Sequence, residues 1–332
     1  MNPRFFHAGC LTTWFFTASP VLAQNKILNI LDNLNVVAGN YTAGNETEGS
    51  AFVYGIYTPS SGSRFGFNGG AVANDATNVL WLNNGVSNSN STNLITGSVV
   101  SRVNVSTSLF NLNGNAAGTP SIKQGEATWT NALATIGVNS TSDLTSTLSA
   151  ASSQWSQLTS NSTGTTPGNG SYTFNATPSL IDGHQIAVFN VAASTIFGSG
   201  NFDRFEANFN GAETILINVS GTSFTAGKNF ANGFTNNESK IIFNFYEATS
   251  ISATSNFRGA IFAPLATVSQ SSNFDGSVVA ASFVQSNEVH AKLFDSYLPF
   301  TAIPEPSSSV LGLLAGSFLL RRRRMEKSLL KM

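Results

Sequence analysis

Two stretches of the chain are near copies of each other: NFRGAIFA from Asn256 and NFDGSVVA from Asn273, 17 residues further on. Self-similarity at a fixed period is the mark of an architecture in which one turn of chain stacks on the next. In each copy a glycine permits a tight corner, a small residue follows, and a short β-prone run completes the phrase. Glu48-Gly49-Ser50-Ala51-Phe52-Val53 and Thr96-Gly97-Ser98-Val99-Val100 repeat its second half. A period of 17 is close to one coil of a β-solenoid with three short faces. Phe and Val would then stack on their equivalents in the next coil, and Asn would form ladders at the corners. A hairpin pair in a β-sandwich produces the same spacing, so periodicity alone leaves both architectures open. The expectation adopted is a mainly β chain built as a right-handed β-solenoid, or β-helix.

Other β-prone runs agree with a β-rich body: Leu34–Ala38, Gln185–Val191, Thr214–Val219 and Lys240–Phe245, separated by Asn, Gly and Ser clusters. One region departs from the pattern. Between Ser142 and Ser160, Leu144, Leu148, Ala151, Trp155 and Leu158 fall at helical spacings, with Ser or Asp suited to begin the helix. Gln124–Ile136 is a candidate for a shorter helix before it. The physical reading is an amphipathic helix that covers one apolar side of the β body; a partner-binding helix is the functional alternative. Thr159–Ser171, rich in Ser, Thr, Gly and Asn, reads as a flexible loop.

Composition narrows the function. Of 332 residues only 10% are charged, yet 41% are hydrophobic and 26 are Phe, an aromatic content that disordered chains lack. Seven of the 16 basic residues lie in the two terminal segments, which leaves nine in region 24–303 against fifteen of the 17 acidic ones. A net charge of about −6 without a basic stripe excludes nucleic acid as a partner. The one cysteine, Cys10, lies in the leader, so the exported chain would have no disulfide, thiolate metal site or cysteine nucleophile. A lipoprotein reading of HAGC fails because no apolar core precedes Cys10.

Candidate chemistry is thin. His184, in IDGHQIAVF, has Asp182 two residues away, but the flanking glycine makes a turn the simpler account, and a triad needs a nucleophile as well. His290, in NEVHAKLF, reads as packed or capping. Asp203 and Glu206 share a side only in a helix, and Phe202, Phe205 and Phe209 mark a packed face there instead. No calcium loop, H-E-x-x-H or phosphate-binding glycine loop is present, so neither a cofactor nor a metal is expected. Asn40, Asn45, Asn104, Asn218 and Asn237 begin Asn-x-Ser/Thr triplets, which a chain this rich in Asn, Ser and Thr produces by composition.

Both ends read as addresses. Residues 1–23 carry Arg4, an apolar stretch at Leu11–Phe16 and small residues before a cut between Ala23 and Gln24, the layout of a secretory signal peptide. At the other end, Pro304-Glu305-Pro306 precede an apolar run, Val310–Leu320, and four arginines, Arg321, Arg322, Arg323 and Arg324. The run is shorter than the roughly 20 residues that span a bilayer comfortably, and the arginines hold its end in the cytoplasm. A buried helix with a solvated tail is the plain alternative. The three parts, in this order, resemble the PEP-CTERM sorting signal of Gram-negative bacteria. The resemblance implies a short C-terminal transmembrane helix, a transient stay in the inner membrane, and removal of the tail by the protease-transpeptidase exosortase. The domain plan is then a signal peptide at 1–23, a body at 24–302 and a sorting segment at 303–332.

The body carries a second resemblance. LNVVAGNYTAGNETEGSAFVYG, IAVFNVAASTI, ETILINVSG, IIFNFYEATSI, GAIFAPLATV, GSVVAASF and EVHAKLFDSYLP resemble the motifs of choice-of-anchor A proteins and keep their order, across roughly residues 27–300. Two departures are local: Ala51–Gly55 lacks a double glycine, and Leu265 stands where Asn is common. The resemblance implies an adhesive surface module, similar to ice-binding-type β-solenoid domains with a helix beside the coil, and supplies no catalytic residues.

The expected function is a non-enzymatic adhesin at the surface or in the extracellular matrix, with flat uncharged faces of Asn, Thr and Ser that bind exopolysaccharide or another surface ligand. The alternative is an ice-binding protein, which calls for Thr ladders, whereas the threonines here are scattered in sequence. A polysaccharide-modifying enzyme is the third reading, and nine dispersed basic residues argue against its charged groove.

Overall fold

The computed structural model describes residues 20–66, 78–95, 97–111, 122–166, 170–198 and 200–299. Ten strands form the spine of its largest sheet. In chain order they are β1 (Val36–Ala43), β2 (Ala51–Val53), β3 (Leu80–Leu82), β4 (Val99–Ser101), β5 (Ile122–Gln124), β6 (His184–Ala192), β7 (Thr214–Ser220), β8 (Ile241–Asn244), β9 (Ala260–Gln270) and β10 (Val278–Gln285). Their order in space is β5-β4-β3-β2-β1-β10-β9-β8-β7-β6, and every one of these pairings is parallel. The chain therefore starts in the middle of the sheet and builds outward to one end. It crosses to the far end and builds back until β10 meets β1, with Val36 opposite Val278. The antiparallel strand Ser179–Ile181 closes the far end against β6.

The 17-residue phrase is one step of this stack. Ile261 and Phe262 lie opposite Val278 and Val279, and Phe257 lies opposite Phe274 in a second, seven-stranded sheet. The rings of Phe257 and Phe274 stack 5.6 Å apart. The glycine of each copy sits on its counterpart: a Cβ on Gly276 would strike the carbonyl oxygen of Gly259. Regular spacing stops there, because the next steps inward in sequence, Ile242 to Ala260, Ile215 to Ile241 and Ile186 to Thr214, take 18, 26 and 28 residues. Inserted loops lengthen those steps without disturbing the parallel register, which hides the period from the sequence.

Period-2 alternation divides the core in two. Val36, Ala38, Ala51, Val53, Leu80, Leu82, Ile215, Ile217, Ile261 and Ala263 point inward, where the main sheet, the seven-stranded sheet and a four-stranded sheet enclose one cluster. Val37, Phe52, Trp81, Val100, Val188, Leu216, Ile242, Phe262 and Val279 point outward but are equally buried, because helices cover them. Buried faces on both sides explain why these strands read as continuous apolar runs.

Three helices form the cover: α1 (Pro20–Asn33), α2 (Glu126–Thr135) and α3 (Thr141–Ser156). The side chain of Ser140 caps α3 by accepting the amide of Asp143 at 3.0 Å, and Lys26 of α1 pairs with Asp143 at 2.8 Å. Leu144, Leu148, Ala151 and Trp155 are buried, so the amphipathic reading of this segment holds, with the helix ending at Ser156 rather than reaching Ser160. Gln124 ends a strand and the shorter helix begins at Glu126. The stretch expected to be a flexible loop, Thr159–Ser171, contains a strand, Thr163–Thr165, paired antiparallel with Ser171–Asn175. Backbone pairing, which needs no apolar side chain, orders Thr163–Thr165. Helix α1 was not anticipated, although Ile27, Ile30, Leu31 and Leu34 fall at helical spacing and are buried.

Asparagine ladders form within strands rather than at corners. Asn218 donates to Asn190 and Asn244 donates to Asn218, each at 2.9 Å, across three neighbouring strands. The same amides reach the covering helix and its end: Asn190 donates to the Leu158 carbonyl, Asn218 to that of Trp155, and Asn244 to that of Ser152. The ladder thus fastens α3 to the sheet at its polar end.

Candidate functional site

The main sheet turns a corner. Within β9 the register shifts between Ala263 and Thr267, at Pro264, and the strand's second half belongs to a different face. That face continues through Ser223–Ala226, Ser250–Ala253, the second halves of β9, β10 and β1, and then Tyr57–Pro59. Its inward positions are Phe224, Ile251, Val268, Phe283, Tyr41 and Tyr57, which join the core, with Tyr41 and Phe283 stacked 5.4 Å apart.

Its outward positions form two rows in register. One row runs Ser223, Ser250, Thr267, Ser282, Asn40. The other runs Thr225, Ser252, Ser269, Val284, Thr42, Thr58. Ser87 extends the second row through a 2.7 Å hydroxyl hydrogen bond to Thr58. Strand spacing puts neighbours in a row about 4.8 Å apart, and the pleat puts the rows about 6.7 Å apart. The outcome is a rigid grid of small hydroxyls, one amide and one valine, with no charged residue in either row. Three of the four exposed large hydrophobic residues among the described ones, Ile56, Leu265 and Val284, also lie along this face. The threonines stay dispersed, with only Thr42 and Thr58 adjacent in register, but steps of unequal length bring Ser and Thr from distant segments into common rows, which the sequence does not show.

The expected chemistry resolves into structural roles. His184 pairs with Glu213 at 2.8 Å, not with Asp182, and its ring stacks on Tyr297 at 3.8 Å. Asp182 adopts a positive φ in the turn and accepts from the Tyr297 hydroxyl. This constellation pins the C-terminal segment to the closing hairpin. Asp203 and Glu206 both face Arg204, at 3.5 and 3.3 Å, the first just before and the second within the strand Arg204–Asn208 rather than a helix, while Phe202 and Phe205 are buried. Asn218 is buried in the ladder, so its triplet is closed to a glycan in the folded chain. Among the described residues no group of three or more His, Cys, Asp or Glu could hold a metal.

His290 belongs to a charged row on the seven-stranded sheet, where Arg258, Asp275 and His290 stack in register. Arg258 pairs with Glu238 at 2.7 Å and with Asp275 at 3.4 Å; His290 bonds Asp275 and, at 3.2 Å, Glu288. The hydrogen bond to Asp275 is the main reason that the imidazole is raised from 6.5 to about 9, against the opposing effect of burial. Burial pushes Asp275 up, but the bond from His290 and the charge of Arg258 hold it below the usual carboxylate range. A raised folded-state value means that the His290 contribution is full below pH 6.5 and is lost as pH rises through about 9. The stability of His290→Gln is therefore expected to change less than that of the parent between these pH values, as urea titration at several pH values would show.

Ala23 and Gln24, the expected signal cut, lie within α1. Pro304, Glu305, Pro306, Arg321, Arg322, Arg323, Arg324 and the short apolar segment between them lie outside the described residues. Among the described residues no helix is long and apolar enough to cross a membrane.

Two solved structures are similar over most of the chain. An ice-binding protein from an Antarctic biological consortium is 13% identical, with 84% of this chain and 95% of that one covered and a TM-score of 0.33. An ice-binding protein from the Antarctic ascomycete Antarctomyces psychrotrophicus is 12% identical, with 80% and 97% covered and a TM-score of 0.27. Comparison with curated proteins gives no match. The family description "Putative Ice-binding-like adhesive domain" matches residues 31–291, and the chain belongs to that adhesive-domain family.

Proposed function

We propose that the protein is an exported, non-enzymatic surface adhesin that holds polysaccharide on its hydroxyl face. The observation that carries this reading is the pair of in-register, charge-free rows on six parallel strands. Each hydroxyl both donates and accepts, so a glycan laid across the strands gains many weak hydrogen bonds from a surface that is already ordered. Summed over a repetitive polymer, such contacts give avidity without any single strong one. Ile56, Leu265 and Val284 add apolar patches of the kind that pack against sugar C–H faces.

In this reading the body is a β-solenoid of the choice-of-anchor A type. The signal at 1–23 exports it from a Gram-negative cell, and exosortase removes the PEP-CTERM segment. The arrangement of the last described residues agrees with the scheme: Trp155 of α3 donates to the Pro299 carbonyl, which holds Pro299 on the helix-covered side and not on the hydroxyl face. The test is retention of the exported chain on the producing cell's own extracellular polysaccharide, beside proteins of matched charge. Saturable binding that survives raised salt is expected, because no ion pair is involved. Retention equal to that of the controls would remove the proposal.

Ice is the second reading, favoured by the same rows on rigid strands. The rows mix Ser, Thr, Asn and Val rather than repeating one side chain, which suits a flexible polymer better than a crystal plane. Absence of ice-recrystallisation inhibition at concentrations that saturate polysaccharide binding is the expected outcome.

A further inference from the structure

The hydroxyl face ends abruptly at Ser223–Ala226. After β6 the chain does not enter that face as another strand but forms a single helical turn, α4 (Ala193–Ile196). The replacement leaves a step, and the step is a cleft of about 500 Å³. Phe197, which follows the turn, lies parallel to Phe224 with ring centres 5.2 Å apart, and both rings line the cleft. Ser223 and Thr225, the first members of the two rows, line it as well, together with Ser194 and Glu247. One carboxylate oxygen of Glu247 accepts the Gly221 amide at 2.6 Å, which fixes this side chain at the cleft.

We propose that this cleft is a subsite for one neutral hexose unit at the end, or at a branch, of the polysaccharide that lies on the face. It rests on the adhesive reading above and deepens it. The volume suits one or two sugar rings. An aromatic wall packs against the apolar face of a pyranose, the hydroxyls of Ser194, Ser220, Ser223 and Thr225 donate or accept around its rim, and the carboxylate of Glu247 can only accept. Vicinal sugar hydroxyls supply the donors that such a carboxylate lacks. Among the described residues no lysine or arginine lines the cleft, so an anionic sugar would meet Glu247 without a compensating charge. The grid supplies avidity along the chain, and the cleft supplies selection at its end.

The test titrates the protein with maltotriose, cellotriose and trigalacturonate, and separately with long neutral glucan. Parallel titrations use Glu247→Gln, which retains an acceptor for Gly221, and Ser252→Lys/Ser269→Lys on the face. The expected result is saturable binding of a neutral trisaccharide, weaker binding of the uronate, and a loss of about tenfold for the trisaccharide in Glu247→Gln. The face variant should keep trisaccharide binding and lose the polymer. If the polymer binds but no trisaccharide does, or if Glu247→Gln binds the trisaccharide as tightly as the parent, the cleft is overturned and the face stands. Trisaccharide binding without polymer binding would overturn the face and leave the cleft. Failure of both ligands would overturn both.

Discussion

Trp155→Ala is expected to cost about 4 kcal/mol of folding stability, the largest effect of any single substitution considered. Trp155 is fully buried, its ring lies 4.7 Å from that of Phe262 on β9, and its Nε1 donates to the Pro299 carbonyl at 2.9 Å. Three parts of the fold meet at this side chain: the covering helix, the outward face of the sheet and the closing segment of the body. Truncation removes the apolar contact and leaves a cavity that a sheet on one side and a helix on the other cannot collapse to fill. Denaturant titration of the two chains measures the loss. Trp155→Phe separates its causes, since it keeps most of the packing and gives up only the hydrogen bond, for an expected cost of about 1 kcal/mol. Equal losses in the two variants would mean that the bond to Pro299, not packing, holds the helix.

Asn244→Leu is expected to cost about 3 kcal/mol although it exchanges a polar side chain for an apolar one of similar size in a buried position. Asn244 accepts from the Ser152 hydroxyl at 2.6 Å and donates to the Ser152 carbonyl at 2.8 Å and to Asn218 at 2.9 Å. Leucine would leave the Ser152 hydroxyl and the Asn218 carbonyl oxygen buried without this partner, and each orphaned group costs about 1–3 kcal/mol. Removing a second partner should then help: Asn244→Leu/Ser152→Ala is expected to regain about 1 kcal/mol over the single change. A chain that loses the same amount from both would show that the ladder acts through shape alone.

Much of the interior was legible from local pattern. The repeated phrase marked two strands that lie on one another, Phe257 over Phe274 and Ile261 over Val278, because there the step has no insertion. The runs at 185–191, 214–219 and 240–245 became β6, β7 and β8 since strands buried on both faces read as near-continuous apolar runs, broken here only where the asparagine ladder and the strand ends lie. The helix around Trp155 announced itself by spacing. The hydroxyl face did not, and the reason is topological. Ser223, Ser250, Thr267, Ser282 and Asn40 belong to steps of different lengths, and the last joins only because the chain returns to its own beginning at the β1–β10 seam. No local signal records that return. His184 shows the same limit: the sequence offered Asp182 as its partner, while the actual one, Glu213, comes from the neighbouring step of the stack.

The adhesive reading depends on the grid and not on the charge or sequence of any single loop, so the direct measurement is an isotherm of polysaccharide binding for the parent and for Ser252→Lys/Ser269→Lys. Both serines are half-buried at their bases on rigid strands and point outward, so the pair of lysines can extend into solvent without unfolding the sheet. The account expects unchanged thermal stability within a few degrees and a loss of binding by about a hundredfold or more, since two adjacent positions of the second row are replaced and the lysine side chains are long enough to reach across the first row beside it. Undiminished binding by a folded double variant would contradict the assignment of function to this face.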